Sequence, residues 1–364
     1  MQNIDKSFLV ALDRQFIPFI KGECKLPSFS VSVHKTDKNI IYGLRPVKTV
    51  SDFTFYEYKS GKYWFSFCNS YICVSEDFKD IVVYASDKPD ADVSYEASYL
   101  LMQAYMYLLV ENGGFMIHSA ACVSGGEGVL FCGASGAGKS TQANLWKKYA
   151  GANVINYDKP CILPEDDGFI VHGSPWSGKE ECFLNEYAPV KAIVFIKQAK
   201  ENKVIRLSSA QAFSNIYLHN IIYPVNSDIE KKYADIIRRI SEKVPVYELY
   251  CDISVQAVDV LYKELFKKEV KLMKYKTKDC FELKQVADDY IVIPRGSMSI
   301  DFSAVVVFND SGVLLWKLLE KGADVKELED ELIKEYSIDR ALAEKDVEKF
   351  IAKMNDNGLL DIIG

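Results

Sequence analysis

Over roughly the first 90 residues, apolar and polar positions alternate in short runs. Phe53-Thr54-Phe55-Tyr56-Glu57-Tyr58 and Tyr63-Trp64-Phe65-Ser66-Phe67 are the clearest. Aromatic and β-branched residues at a period of two predict half-buried strands, and Ser60-Gly61-Lys62 between the runs predicts antiparallel hairpins. The period then lengthens. Residues 94–111 read as a helix, stopped by Asn112-Gly113-Gly114. Residues 115–123 and 129–132 are apolar runs predicted as strands. Ser124-Gly125-Gly126-Glu127 joins them as a hairpin, which would place His118 inside the sheet. A helix over 142–149, ended by Gly151, precedes a strand over 152–158 that finishes on polar residues. Strands over 169–171, 190–196 and 246–249 alternate with helices over 208–218, 228–240 and 255–266.

Residues 267–278 are basic and weakly patterned, and read as a linker. The pattern restarts at Phe281. Strands over 280–285 and 290–294 flank Asp288-Asp289, and a third covers 302–308. Asn309 then caps a helix carrying Val313, Leu314, Trp316, Leu318 and Leu319, which Gly322 ends. Two more amphipathic helices, over 325–335 and 341–354, complete a small winged-helix-like domain of three strands and three helices.

Composition narrows the class. A chain of 364 residues with 49% hydrophobic and 26% charged residues is long enough for two or three packed domains. The net charge of −7 argues against a general nucleic-acid binder, which carries a basic face. Nine cysteines are scattered without a C-x-x-C pair, which predicts free thiols in a reducing compartment. The N-terminus lacks the regions of a signal peptide, and no apolar run has the length of a membrane span. A cytoplasmic protein away from membranes is the expectation.

The chemistry centres on Gly133-Ala134-Ser135-Gly136-Ala137-Gly138-Lys139-Ser140-Thr141. This is G-x-x-x-x-G-K-S between a predicted strand and a predicted helix, the context in which the pattern binds nucleotide phosphates. Backbone N–H groups of Gly133, Ser135, Gly136, Ala137 and Gly138 and the helix N-terminus at Thr141 would face phosphate oxygens. Lys139 would reach the terminal phosphates, and the Ser140 hydroxyl would ligate Mg²⁺. One helix and one strand later, Asp158 suits the metal-holding carboxylate. His118 reads either as a core histidine or as a residue beside the phosphate loop. The turn-rich segment 173–181 carries Trp176, Lys179 and Glu180, and is a candidate substrate or nucleotide lid.

The runs Ile117-His118-Ser119-Ala120-Ala121, Gly133 to Thr141, Leu145-Trp146, Asp158-Lys159-Pro160 and Gly173-Ser174-Pro175-Trp176-Ser177-Gly178-Lys179 resemble the HPr kinase/phosphorylase family. More distantly they resemble ATP-dependent phosphoenolpyruvate carboxykinase. The likeness covers about residues 95–265, and is strongest to a subgroup that accompanies peptide-modifying enzymes. It implies an α/β (α+β) P-loop kinase core with a β-rich lead-in. It also implies ATP or another nucleoside triphosphate on Gly133 to Thr141, Mg²⁺ on Ser140 and Asp158, and His118 near the reacting phosphate. The family carries two adjacent acids, often N-D-D-K-P; here Tyr157 stands where the first acid, the general base, is expected. An unperturbed tyrosine is a poor base at neutral pH. Asp158 in both roles, His118 or Glu180 would then have to replace it.

Tyr290-Ile291-Val292-Ile293-Pro294, Phe308-Asn309-Asp310-Ser311-Gly312 before Trp316, and Asn357-Gly358-Leu359-Leu360 resemble PqqD-like domains, the leader-recognition elements of ribosomal peptide biosynthesis. That resemblance implies β-augmentation by a precursor's leader peptide along Val305, Val306, Val307 and Phe308, packed on the last helix at Phe350. The expected organisation is 1–92 a β-rich subdomain, 93–268 the nucleotide-binding domain, 269–278 a linker and 279–364 the peptide-recognition domain. The expected activity is ATP- and Mg²⁺-dependent phosphorylation of a hydroxyl, serine or threonine first, on a ribosomally made peptide. Alternatives are a nucleotide-binding scaffold with lost chemistry, or a kinase of a small molecule or carrier protein. Other maturation enzymes are candidate partners, and the kinase resemblance allows a homo-oligomer.

Overall fold

The structure is a computed structural model, and describes residues 14–20, 24–36, 40–86, 88, 92–219, 222, 225–269, 272–287, 289–295 and 306–363. The chain divides into two compact units at Lys268, the helix end Tyr149–Gly151 excepted.

After a short helix over 14–20 (α1), the first unit opens with a sheet of six strands. These are β1 (Ser30–Thr36), β2 (Pro46–Val50), β3 (Phe53–Tyr56), β4 (Lys62–Phe67), β5 (Ser70–Ser75) and β6 (Asp80–Ser86), in the order β1-β6-β5-β4-β3-β2. Strands β2 to β6 are the expected antiparallel hairpins. Strand β1 departs from that expectation. It lies parallel to β6, with Ser30 opposite Asp80, a pairing between distant segments that no turn signal announces. The alternation does sort the faces. Phe53, Phe55, Phe65, Ile72, Val74, Ile81 and Val83 turn inward. They pack in one core with α2 (Val93–Glu111), whose Leu100, Leu101, Ala104, Tyr107 and Leu108 are buried. Asp92 caps α2 through Tyr95 N–H.

A nine-stranded mixed sheet follows among the described residues. Its strands are β7 (Phe115–Met116), β8 (Ser119–Ser124), β9 (Glu127–Cys132), β10 (Asn153–Asn156), β11 (Cys161–Glu165), β12 (Gly168–His172), β13 (Tyr187–Gln198), β14 (Lys203–Arg206) and β15 (Val246–Cys251). The run predicted as one strand over 115–123 is broken, and His118 sits in the break between β7 and β8, not within a strand. Each half pairs with a different neighbour, β7 with β11 and β8 with β9, so the chain must bend between them. Helices α3 (Lys139–Ala150), α4 (Ser209–His219), α5 (Ser227–Lys243) and α6 (Val255–Phe266) complete the unit. Trp146 of α3 is wholly buried among Phe131, Tyr262 and Phe266.

Strand directions gather the chemistry. Strands β9, β13 and β15 run parallel, so their C-terminal ends share one sheet edge. Strand β8 is antiparallel to β9, and β10 to β8. The start of β8 and the end of β10 therefore reach the same edge. Open α/β sheets bind ligands at the carboxyl ends of their strands.

In the second unit, β16 (Lys274–Thr277) lies inside the segment expected as a linker. It pairs with β20 (Ala323–Asp324) and β21 (Leu360–Ile363) in a three-stranded sheet. Its charged residues face outward while Tyr275 and Thr277 are buried, so the basic composition hid a period-two strand. The predicted hairpin is β17 (Phe281–Val286) with β18 (Asp289–Pro294), and β19 (Val306–Phe308) pairs with β18. Helices α7 (Asp310–Lys321), α8 (Val325–Tyr336) and α9 (Arg340–Asp356) follow in the predicted order. Asn309 Oδ1 accepts from Gly312 N–H as the N-cap of α7, and Gly322, at φ 82°, ends that helix. Trp316, Leu319, Leu328, Val347 and Met354 are buried.

Among the described residues no helix is long and apolar enough to cross a membrane. All nine cysteines are free thiols, with Cys73, Cys122, Cys132, Cys161 and Cys251 buried.

Candidate functional site

The G-x-x-x-x-G-K-S loop leaves β9 at Cys132 and re-enters regular structure at Lys139, the first residue of α3. Three glycines make the curl. Gly133, Gly136 and Gly138 have φ of 144°, 79° and 102°, which other residues rarely adopt. Gly133 is also close-packed, since a Cβ there would lie 3.0 Å from the Cβ of Ala137. Lys139 is buried, and its Nζ donates to the carbonyls of Gly133 at 3.1 Å and Ala134 at 3.2 Å. The ammonium is thus held across the mouth of its own loop. Ser140 and Thr141 lie in the first turn of α3; Ser140 is half-buried, while Thr141 and the loop residues Ala134, Ser135 and Gly136 are exposed. Gln198, the last residue of β13, donates to the carbonyl of Gly136 at 3.0 Å. Gln142 ties α3 to the end of β15 by donating to the carbonyl of Asp252 at 3.2 Å.

Asp158 and His118 meet at that edge. The N–H of Ile117 donates to the carbonyl of Pro160 at 3.1 Å, and that of Ser119 to the carbonyl of Asp158 at 3.0 Å. These two bonds bracket His118 and set it opposite the acidic turn. Its Nε2 lies 3.1 Å from Asp158 Oδ1. Lys159 Nζ lies 3.6 Å from the same oxygen, a charge contact rather than a hydrogen bond. Burial raises the Asp158 carboxyl, but the His118 hydrogen bond and the Lys159 charge outweigh it and hold the group below its usual 3.8. Burial pulls the Lys159 ammonium below 10.5; Asp158 opposes this, and the charge on Lys139 adds to it.

Beneath the acidic turn is a clamp that the sequence reading did not assign. Asn156 is wholly buried. Its Oδ1 accepts from Asp158 N–H at 2.9 Å and Lys159 N–H at 2.8 Å. Its Nδ2 donates to the carbonyls of Ser174 at 3.3 Å and Trp176 at 3.2 Å. Ser174 Oγ donates to the carbonyl of Lys159 at 2.6 Å, and Ser177 Oγ accepts from Tyr157 N–H at 3.2 Å. Gly178, at φ 68°, closes on the turn; a Cβ there would be 3.1 Å from Asp158 Cβ. The only sequence signals were the presence of Lys159, Ser174, Ser177 and Gly178 in the family-like runs and the match of Asn156 to the first position of N-D-D-K-P, neither of which assigns these residues a role.

The expected lid is corrected in part. Trp176 is 7% exposed, packs edge-on to Phe16 and against Tyr105, and donates its indole N–H to the carbonyl of Ser98 at 3.0 Å. It anchors segment 173–181 in the core because burying so large a ring outweighs exposing it. Lys179 and Glu180 lie exposed in a 3-10 turn (Gly178–Glu180). Tyr157, in place of the expected acid, donates its hydroxyl to Asn144 Oδ1 on α3 at 2.7 Å. Burial, with Cys182 and Glu180 adding, pushes the phenol above 10.0, which leaves it a donor and not a base.

In the second unit the expected peptide strand is partly turned away from solvent. Val306 and Phe308 are buried, Phe308 between Trp316 and Phe350 at centroid distances of 5.7 and 5.5 Å. Only the side chain of Val307 is exposed, since alternate residues of a strand face opposite ways. Val305 lies outside the described residues. Among the described residues β19 pairs only with β18.

Comparison with known proteins gives two family matches. Residues 88–267 match the family described as SynChlorMet cassette protein ScmC, and residues 291–360 match Coenzyme PQQ synthesis protein D (PqqD). No curated protein sequence matches the chain. Solved structures similar to parts of it include two of note. One is TbiB1 in complex with the TbiA(beta) leader peptide, at 24% identity over 24% of this chain and 94% of that one, TM-score 0.21. The other is the Hpr(Ser) kinase/phosphatase from Coxiella burnetii, at 12% identity over 42% and 93%, TM-score 0.24. The C-terminal unit therefore carries a PqqD domain, preceded in the chain by a mixed α/β unit.

Proposed function

We propose that this chain is a nucleotide-dependent phosphotransferase of peptide maturation. It would transfer the terminal phosphate of ATP to a hydroxyl of a precursor peptide held through its leader by the PqqD domain. One observation carries the catalytic half. Lys139, at the end of a glycine-curled loop, shares a sheet edge with a half-buried turn on which Asp158 is held ionised beside His118. The match over residues 291–360 supports the recruiting half, and the outer edge of β19, unpaired among the described residues, offers backbone groups for β-augmentation.

The residues divide the work as follows. Lys139 would exchange the carbonyls of Gly133 and Ala134 for phosphate oxygens and offset charge on the transferring group. Ser140 and Asp158 are hard oxygen donors of the kind Mg²⁺ takes, one or two from protein and the rest from phosphate and water. The donor set fits that ion. Among the described residues no group of three His, Cys, Asp or Glu forms a fuller cage. Bound there, Mg²⁺ would neutralise phosphate charge. His118, held by Asp158, would orient the phosphate. The acceptor oxygen bonds to phosphorus as the bond to the nucleoside diphosphate breaks, and the hydroxyl proton passes to the Asp158–His118 pair. Tyr157 takes no part in this, because its hydroxyl is committed to Asn144.

That same tyrosine favours a second reading, a nucleotide-binding scaffold that presents a precursor to another enzyme. Mass spectrometry of the precursor after incubation with the chain, ATP and Mg²⁺ separates the two. A gain of one phosphate that needs the leader and vanishes in Lys139→Ala supports the transferase. An unchanged mass, with ATP and leader both bound, supports the scaffold.

A further inference from the structure

We propose that Lys159 is a second phosphate-contacting cation, one that meets the terminal phosphate of the nucleoside triphosphate on the Lys139 loop. The proposal deepens the nucleotide-binding reading above and rests on it.

Lys159 is built in, not draped over the surface. Its N–H is held by Asn156 Oδ1 at 2.8 Å and its carbonyl by Ser174 Oγ at 2.6 Å. Pro160 follows and restricts the Lys159 backbone to extended conformations. The side chain is 24% exposed, unusual for lysine, a residue that seldom leaves water without a partner. Its neighbour Asp158 is 3.6 Å away, too far for a hydrogen bond, and that carboxylate is already engaged by His118 at 3.1 Å. Lys139 is the other cation whose field reaches Lys159.

Lys159 thus shares its one carboxylate with His118 in a partly desolvated place, where the Lys139 charge also acts on it. Uncompensated charge there is costly, and an anion with several oxygens relieves it. The Lys139 ammonium is parked on carbonyls it can release. Lys159 approaches from the β10 side, beside Asp158. On the reading above, that is the side of the phosphate that leaves. A diphosphate would reach Lys139 and fall short of Lys159.

Calorimetry on the full chain without Mg²⁺ tests this with ATP and ADP. A charged hydrogen bond is worth roughly ten-fold or more in affinity, so Lys159→Met should weaken ATP by about that factor and ADP by under about three-fold. Lys159→Arg should recover part of the ATP affinity. Lys159→Met that binds ATP like wild type, or loses ATP and ADP equally, overturns the proposal. Wild type that binds neither nucleotide, or Lys139→Ala that binds both unchanged, overturns the underlying reading and this one with it. If Lys159→Met does not fold, lysine acylation of the wild type read by mass spectrometry replaces it. Protection of Lys159 by ATP but not by ADP supports the contact, and equal labelling with either nucleotide or none refutes it.

Discussion

Asn156 holds the acidic turn through five hydrogen bonds from one buried side chain, accepting from Asp158 and Lys159 and donating to segment 174–176. Asn156→Ala would leave two half-buried N–H groups without their acceptor, each costing about 1–3 kcal/mol where water cannot replace it. We expect urea unfolding to show a loss of about 3 kcal/mol or more. A loss under about 0.5 kcal/mol would mean that water replaces the side chain. Asn156→Asp keeps the acceptor, removes the donor and adds a charge beside Asp158. It should also destabilise, and should lower nucleotide affinity, since the charge opposes phosphate. How legible these residues were differs for a physical reason. The curl of the loop was legible because G-x-x-x-x-G-K-S is contiguous and its backbone torsions demand glycine at set positions, here Gly133, Gly136 and Gly138. Asn156 was not, because its partners lie 18 and 20 residues away and meet it only after β10 and segment 174–177 pack together. Trp176 misled, because turn residues around an aromatic look like an exposed loop until Phe16 and Tyr105 bury the ring.

At the scale of elements, α8 begins with a reciprocal cap. Asp324 accepts from Glu327 N–H, and the Glu327 carboxylate accepts from Asp324 N–H at 2.9 Å. That backbone hydrogen bond, aided by Lys274 and opposed by burial, holds Glu327 below 4.5. The unfolded chain then takes up this proton more readily than the folded one. The cap's contribution is full above 4.5 and is lost as pH falls through the lower folded value. The stability difference between wild type and Glu327→Gln should therefore shrink on acidification; a difference constant with pH would exclude the linkage. Strand β19 permits a second test. Val307 is 49% exposed and lies on the strand whose outer edge would take a leader. Val307→Pro removes one N–H and should weaken leader binding about ten-fold or more while leaving ATP affinity unchanged. Undiminished leader affinity, measured by fluorescence anisotropy, would move the peptide site elsewhere. The element list was largely legible from periodicity. The exceptions were β1, whose parallel partner lies fifty residues on, and β16, whose lysines masked its buried alternation.

For the whole molecule, the division at Lys268 separates the phosphate-loop unit from the PqqD domain. On the proposed function, a leader joined to its core raises the core's effective concentration at the transfer site to about the millimolar range. Core peptide without leader should then be modified only near such concentrations, and free leader should inhibit modification of the intact precursor. Equal rates with and without leader, read by phosphate incorporation, would leave the C-terminal domain without a role in turnover.

The sequence alone determined the glycine-curled loop between β9 and α3, the helices and the hairpins, because each depends on residues within a few positions of one another. The order of strands β9, β13 and β15, and the break that frees His118, came from tertiary structure. So did the clamp under Asp158, the turning of Tyr157 toward Asn144 and the holding of Lys159 beside Asp158. These depend on hydrogen bonds and fields between segments far apart in the chain, which exist only when the sheet has assembled and excluded water from its edge.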